Sequence, residues 1–282
     1  MTAPHGAYAP IPTPVDRDGR FDVAALGRHL EWLDGSGLDG VLVLGTNGEF
    51  PSFDVAERLE IAETAARAAG GLDLMLGVGS CALPEVHRLV EAAPDLGYGA
   101  VLLPPPFYFR SAPTAGVAAF VLEVLDRAEL PVLLYHIPQV TGVPVSDELL
   151  GAVADHPRFG GVKDSSGRDD ELARIAAGIG AGIYMVGNDR LVSAAVATGG
   201  GSITAAASVA PELVTATHRD SSRQAELDRV RSLLEAFGLG PAVKAILRRR
   251  GIGDYRTRPP LLGLDDRSAE ELIAQFERLA GS

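Results

Sequence analysis

Lys163 ends an apolar run, Phe159-Gly160-Gly161-Val162-Lys163, and Asp164-Ser165-Ser166-Gly167 follow it at once. An ammonium is a costly choice for the tip of a buried strand unless it is paired or neutralised. A lysine side chain deprived of water sheds its proton more readily, and the free amine attacks a ketone to form a Schiff base. A second unusual strand end lies earlier, where Pro131-Val132-Leu133-Leu134-Tyr135-His136-Ile137-Pro138 closes on a tyrosine. Earlier still, Val41-Leu42-Val43-Leu44 runs into Gly45-Thr46-Asn47-Gly48-Glu49. An amine, a phenol and a hydroxyl on three strand ends are the groups that imine chemistry on a keto acid requires.

Such groups need a frame that brings distant strand ends together. Short apolar runs alternate here with longer amphipathic ones, the pattern of βαβ units and a parallel sheet. Strands are expected at Tyr8–Thr13, Gly40–Gly45, Leu72–Gly79, Ala100–Pro104, Pro131–Ile137, Gly160–Lys163, Gly182–Val186 and Gly201–Ala205. Helical stretches between them include Asp54–Ala69, Pro84–Ala93, Thr114–Ala128, Asp147–Ala154, Asp169–Ile179 and Asp189–Thr198. Asp54 and Glu57 read as a capping box, and Asp169 as a cap of the same kind. Eight strands, each followed by a helix, make the fold class α/β, a (β/α)8 TIM barrel. An open doubly wound sheet is the competing arrangement, but its glycine-rich phosphate fingerprint is missing from the first turn. Residues 1–218 are assigned to the barrel and 219–282 to a C-terminal helical extension packed on it, with helical pattern at Leu227–Phe237, Ala242–Arg249 and Ala269–Leu279.

In a barrel the site lies where strands end and loops begin. Thr46, Tyr108, Tyr135, Lys163, Gly187 and Ile203 fall at that rim, with Asn47 and Asp189 beside it. If Lys163 points inward, strand alternation sends Gly161 and Phe159 inward too and Val162 outward. A glycine beneath the lysine then leaves room for its stem. Each residue also has a plain structural reading. Lys163 fits a surface loop, and Tyr135 a core aromatic with a hydrogen-bond partner. The Gly45–Gly48 run suits a tight turn without a ligand, Tyr108 suits packing or an oligomer contact, and Asp189 suits a helix cap. Their joint order and spacing favour the site.

Composition narrows the class. At 282 residues and 46% apolar, the chain can bury a large core. A net charge of −12 argues against a nucleic-acid surface, and the run Arg248-Arg249-Arg250 reads as a solvated helix end. One cysteine, Cys81, excludes an internal disulfide and any multi-cysteine metal site. The histidines are scattered without metal-ligand spacing, so no metal is expected. With neither a signal peptide before Tyr8 nor an apolar run of membrane-spanning length, the expected location is the cytoplasm, with no membrane partner.

With these motifs the chain resembles the pyruvate-dependent class I aldolases, the family of dihydrodipicolinate synthase and N-acetylneuraminate lyase. The resemblance covers nearly the whole chain and rests on Gly45-Thr46-Asn47-Gly48-Glu49, Tyr135-His136-Ile137-Pro138 and Gly161-Val162-Lys163-Asp164. It implies that Lys163 forms the Schiff base with the 2-oxo acid and that Tyr135 shuttles the proton. It further implies that Thr46 links Tyr135 to Tyr108 of a neighbouring subunit, in a homotetramer built as a dimer of dimers. The Thr46-Asn47 turn would bind the pyruvate carboxylate through backbone N–H groups. No cofactor is implied, and the partners are a small 2-oxo acid and an aldehyde.

Departures from the family bear on the substrate. Dihydrodipicolinate synthases usually carry two successive hydroxyl residues in the turn, where this chain has Asn47 second. They also place an arginine where this chain reads Gln139-Val140-Thr141, and valine cannot clamp a carboxylate. The acidic pair of sialic-acid lyases is replaced by Asp189-Arg190, and their serine after the eighth strand by Ala205-Ala206-Ala207. Asn47 resembles the turn of 4-hydroxy-2-oxoglutarate aldolases and some 2-keto-3-deoxy sugar acid aldolases. The expected activity is therefore a Schiff-base lyase joining or parting pyruvate and an aldehyde. The alternatives are dihydrodipicolinate synthase, a keto-sugar-acid dehydratase and a non-catalytic keto-acid sensor.

Overall fold

The computed structural model describes residues 4–280. Its eight strands are β1 (Ala7–Pro10), β2 (Gly40–Val43), β3 (Asp73–Gly77), β4 (Ala100–Leu103), β5 (Val132–His136), β6 (Phe159–Asp164), β7 (Ile183–Val186) and β8 (Gly201–Ile203). All pair in parallel and in sequence order, and β8 returns to β1 through Tyr8↔Ile203, closing the barrel. The strands are apolar on both faces because each face is covered, one by the barrel interior and one by helices. Leu42, Met75, Leu102, Leu133 and Met185 fill the interior, while Val43, Leu134, Val162 and Val186 pack outward.

Strand alternation holds for Lys163 and Val162 but fails at Phe159. The β5–β6 register pairs Val132 with Phe159 and then Leu133 with Gly161, so Gly160 is an extra residue. That bulge turns Phe159 to the helix side, where it joins the outer core. Gly161 has φ +132°, and a Cβ there would stand 2.0 Å from the Ile183 carbonyl oxygen. The glycine thus lets β6 lie close to β7, a stricter need than room for the lysine stem.

The barrel helices are α1 (Val23–Asp34), α2 (Val55–Ala68), α3 (Leu83–Asp95), α4 (Thr114–Arg127), α5 (Pro138–Thr141), α6 (Asp147–Val153), α7 (Asp169–Gly178), α8 (Val192–Ala197) and α9 (Pro211–Arg219). Helix α1 and the single turn α5 are additions to the helical stretches expected from the sequence pattern. The capping box opens α2 as read: Asp54 Oδ1 accepts from Glu57 N at 2.9 Å, and Glu57 Oε2 accepts from Asp54 N at 3.1 Å. Asp169 is not such a cap. Arg168 holds the N-cap position of α7 without a side-chain bond, and Asp169 lies in the first turn, where a carboxylate suits the helix dipole.

Beyond the barrel, α10 (Gln224–Ala236), α11 (Leu239–Arg249) and α12 (Asp266–Ala280) share its outer core through Leu227, Leu234, Val243, Leu247 and Leu272. Ion pairs tie these helices and the segment between α11 and α12 to the barrel. Arg231 meets Asp189 at 3.0 Å, Lys244 meets Glu49 at 2.6 Å and Arg258 meets Glu57 at 2.6 Å. Lys244 and Glu49 are both buried, so removing either partner leaves an uncompensated charge that costs about 3–5 kcal/mol. Among the described residues no helix is long and apolar enough to cross a membrane.

Candidate active site

The ends of β5 and β6 place Tyr135 directly opposite Lys163, and β7 sets Met185 on the other side of the lysine. Lys163 is buried, and its Nζ lies 4.3 Å from the centroid of the Tyr135 ring. The chain has two lysines, Lys163 and Lys244. Lys244 is spent on structure, bound by Glu49 at 2.6 Å and by the Arg256 carbonyl at 3.0 Å. Lys163 has no carboxylate within ion-pair range among the described residues. The adjacent Asp164 turns outward, where its Oδ2 accepts from the Tyr184 hydroxyl at 2.8 Å and its Oδ1 from Ser166 N at 2.8 Å. Lys163 is thus the buried amine left free for chemistry.

Thr46 arrives from the loop after β2 and donates through Oγ1 to the Tyr135 hydroxyl oxygen at 3.3 Å. That loop is tightly wound. Leu44 and Glu49 both adopt positive φ, +59° and +53°, which is unusual for side chains of their size. Among the described residues the N–H groups of Thr46 and Asn47 donate to no protein acceptor, while Glu49 N closes the turn on Thr46 O at 3.0 Å. Two unspent donors side by side can hold a carboxylate. Asn47 is half-buried next to them.

Burial pushes the Tyr135 phenol up, but the charge of Lys163 and the hydrogen bonds from Ser165 and Thr46 outweigh it. The phenol is held below its ordinary range. A phenol so tuned gives up its proton more easily than an isolated one. Behind it, burial lowers His136, whose Nδ1 accepts from Val145 N at 3.0 Å while its Nε2 faces Glu171 at 3.2 Å. This pair ties the end of β5 to α7.

The other expected site residues divide. Ile203 lies in the barrel interior with Tyr135. Gly187 lies over Ser165, where a Cβ would stand 1.9 Å from the serine Oγ. Asp189, expected near the substrate, has both carboxylate oxygens engaged. Ala206 N donates to Oδ1 at 3.2 Å and Arg231 Nη1 to Oδ2 at 3.0 Å, so it braces the tail. Its own turn is capped by Asn188, whose side chain accepts from Arg190 N. Tyr108 is 77% exposed, stacks edge-on against Phe109 at 5.2 Å, and makes no hydrogen bond to another described residue through its hydroxyl. Within one chain it does not reach Thr46 or Tyr135. Ser165 escaped the sequence reading, although it follows Lys163 by two positions.

A groove of about 560 Å³ lies elsewhere, between α10 and α12, lined by Asp228, Arg229, Leu233, Gln275 and Arg278. None of the strand-end residues borders it.

Comparison with known proteins identifies the frame. A match to the Dihydrodipicolinate synthetase family spans residues 3–279. The chain belongs to that family. It is 37% identical to an uncharacterized DapA-like lyase of Chloroflexus aurantiacus over 293 residues, covering 99% of this chain and 98% of the relative. It is 34% identical to a 4-hydroxy-tetrahydrodipicolinate synthase of Ruegeria pomeroyi over 288 residues, covering 96% and 97%. Its fold superposes with a TM-score of 0.91 on YagE, a prophage protein of the dihydrodipicolinic acid synthase family from E. coli K12 solved with pyruvate, at 22% identity and 98% coverage of both chains. As a member of the dihydrodipicolinate synthetase family the chain is a lyase.

Proposed function

We propose that this lyase makes or breaks the carbon–carbon bond next to pyruvate through an imine on Lys163. The observation that carries the reading is the buried Lys163 amine, paired with no carboxylate among the described residues and set against the Tyr135 ring, in a chain whose other lysine is locked in an ion pair. In the cleavage direction Nζ attacks the C2 carbonyl of a 4-hydroxy-2-oxo acid, and loss of water leaves the protonated imine. Tyr135 takes the proton of the C4 hydroxyl. The C3–C4 bond breaks, its electron pair enters the imine to give the enamine, and an aldehyde departs. Tyr135 returns that proton to C3, and addition of water then releases pyruvate and the amine. The protonated imine is itself the electron sink, so neither metal nor organic cofactor enters the sequence.

The unspent N–H groups of Thr46 and Asn47 support a role for that turn in holding the substrate carboxylate. Ile203 forms part of the wall beside Tyr135. The exposed Tyr108 supports an assembly in which each subunit lends this residue to a neighbour, a homotetramer made of two dimers.

The synthase of Ruegeria pomeroyi favours a second reading, condensation of pyruvate with aspartate semialdehyde. Against it stands Val140, exposed on α5 where that activity calls for a carboxylate clamp. Arg190 cannot take over, since its guanidinium is held by Glu235 at 2.6 Å and Ser232 at 3.2 Å. The Arg110 side chain lies across Gly142 at the end of α5 and pairs with no carboxylate among the described residues, so the second reading would have to work through it. A carboxylate left unpaired in a partly dry site is strongly disfavoured. The test is kcat/KM with pyruvate for aspartate semialdehyde, glyoxylate and small sugar aldehydes. Preference for glyoxylate or a sugar aldehyde supports the aldolase reading. Preference for aspartate semialdehyde transfers the site to the synthase.

A further inference from the structure

The Tyr135 phenol has a second hydroxyl partner. Ser165 Oγ donates to its oxygen at 3.3 Å, the distance at which Thr46 Oγ1 also reaches it. The serine is pinned from both sides of its peptide. Its N–H donates to the His136 carbonyl at 2.9 Å, and its own carbonyl accepts from Gln139 Nε2 at 2.8 Å. Its hydroxyl also occupies space that any side chain at position 187 would take, since a Cβ there would stand 1.9 Å away. Gly187 therefore keeps a seat open for the Ser165 hydroxyl.

We propose that Ser165 is a positioning residue for Tyr135, its hydroxyl seated over Gly187 to aim the phenol and stabilise its phenolate from within the same subunit. The inference rests on the Lys163 imine reading. Hydroxyl donors aimed at a phenol oxygen favour its charged form. Among the described residues Lys163 on β6 is the charged group acting on Tyr135; Thr46 from the loop after β2 and Ser165 from the loop after β6 are neutral hydroxyls. The phenol is thereby oriented before any residue of another subunit arrives. It also gives Gly187 a role that needs no contact with substrate.

The experiment follows exchange of the pyruvate methyl protons in D2O by the full-length enzyme, a readout independent of the aldehyde. Ser165→Ala should slow exchange at saturating pyruvate about tenfold, the size of one lost hydrogen bond. The half-saturating pyruvate concentration should hardly move, and the limb of the pH profile set by Tyr135 should shift to higher pH. Ser165→Thr, which keeps the hydroxyl, should restore the limb. Gly187→Ala should reproduce the Ser165→Ala profile by displacing the serine. In a Tyr135→Phe background Ser165→Ala should cost nothing further, because it acts through the phenol. An unshifted limb in Ser165→Ala, or a further tenfold loss in the Tyr135→Phe background, overturns the inference. Borohydride trapping with pyruvate separates the two failures. An adduct on Lys163 with an unshifted limb sinks the Ser165 role alone, whereas no adduct in the unmodified enzyme sinks the imine reading beneath it.

Discussion

Lys163 Nζ and the Tyr135 ring lie 4.3 Å apart on neighbouring strands whose register pairs the two residues directly. The amine that would carry the imine and the phenol that would move the proton are thus fixed by backbone pairing, with no loop between them. Strand-borne groups hold their geometry better than loop-borne ones, and geometry of this kind can account for several orders of magnitude in rate.

Removing the phenol hydroxyl while keeping the ring tests the base. Tyr135→Phe should lower kcat by roughly the 10²–10⁴ typical of a positioned acid–base group. Affinity for pyruvate should change far less, because the carboxylate is assigned to the Thr46-Asn47 turn. A fully active variant would reduce Tyr135 to a packed core residue.

Tyr108 is expected to work across a subunit boundary. Lys163→Ala and Tyr108→Phe chains, each inactive alone, should regain activity when mixed under conditions that exchange subunits. Exchange without recovery, or a fully active monomer, would refute the arrangement.

Acid should loosen the fold through His29. Burial lowers its pKa from 6.5 to about 4, and it sits between the Ser208 carbonyl at 3.3 Å and the Tyr255 hydroxyl at 3.0 Å. A folded-state pKa below the unfolded value means the unfolded chain binds the proton first. The contribution is therefore intact above about pH 6.5 and is lost as pH falls toward about 4. The fully buried ring makes the loss about 3 kcal/mol. Urea unfolding midpoints at pH 7 and pH 4.5 should fall further in the native sequence than in His29→Phe. Equal falls would show that other groups govern the acid limb.

Much of this molecule was legible in its sequence because burial on both faces makes parallel strands read as apolar runs. All eight strands lie where such runs predicted them, and Lys163 and Tyr135 stood out as polar residues at their tips. Phe159 was misjudged because alternation assumes an unbroken register, and Gly160 supplies an extra residue that only the paired strand reveals. Asp189 looked like a rim carboxylate because its partner Arg231 lies on a tail helix far along the chain. Ser165 gave no signal of its own: a hydroxyl after a strand is ordinary, and its meaning comes from Tyr135 and Gly187, each on a different strand or loop. Pairwise relations across the barrel, unlike periodicity along it, leave no trace in local sequence.

The central claim is the imine on Lys163, and its most direct measurement is chemical. The enzyme is incubated with pyruvate and borohydride, and the site of modification is read by peptide mass spectrometry. One reduced pyruvate per chain is expected, on Lys163, with Lys244 unmodified. An adduct on Lys244, or none on the intact enzyme, would contradict it.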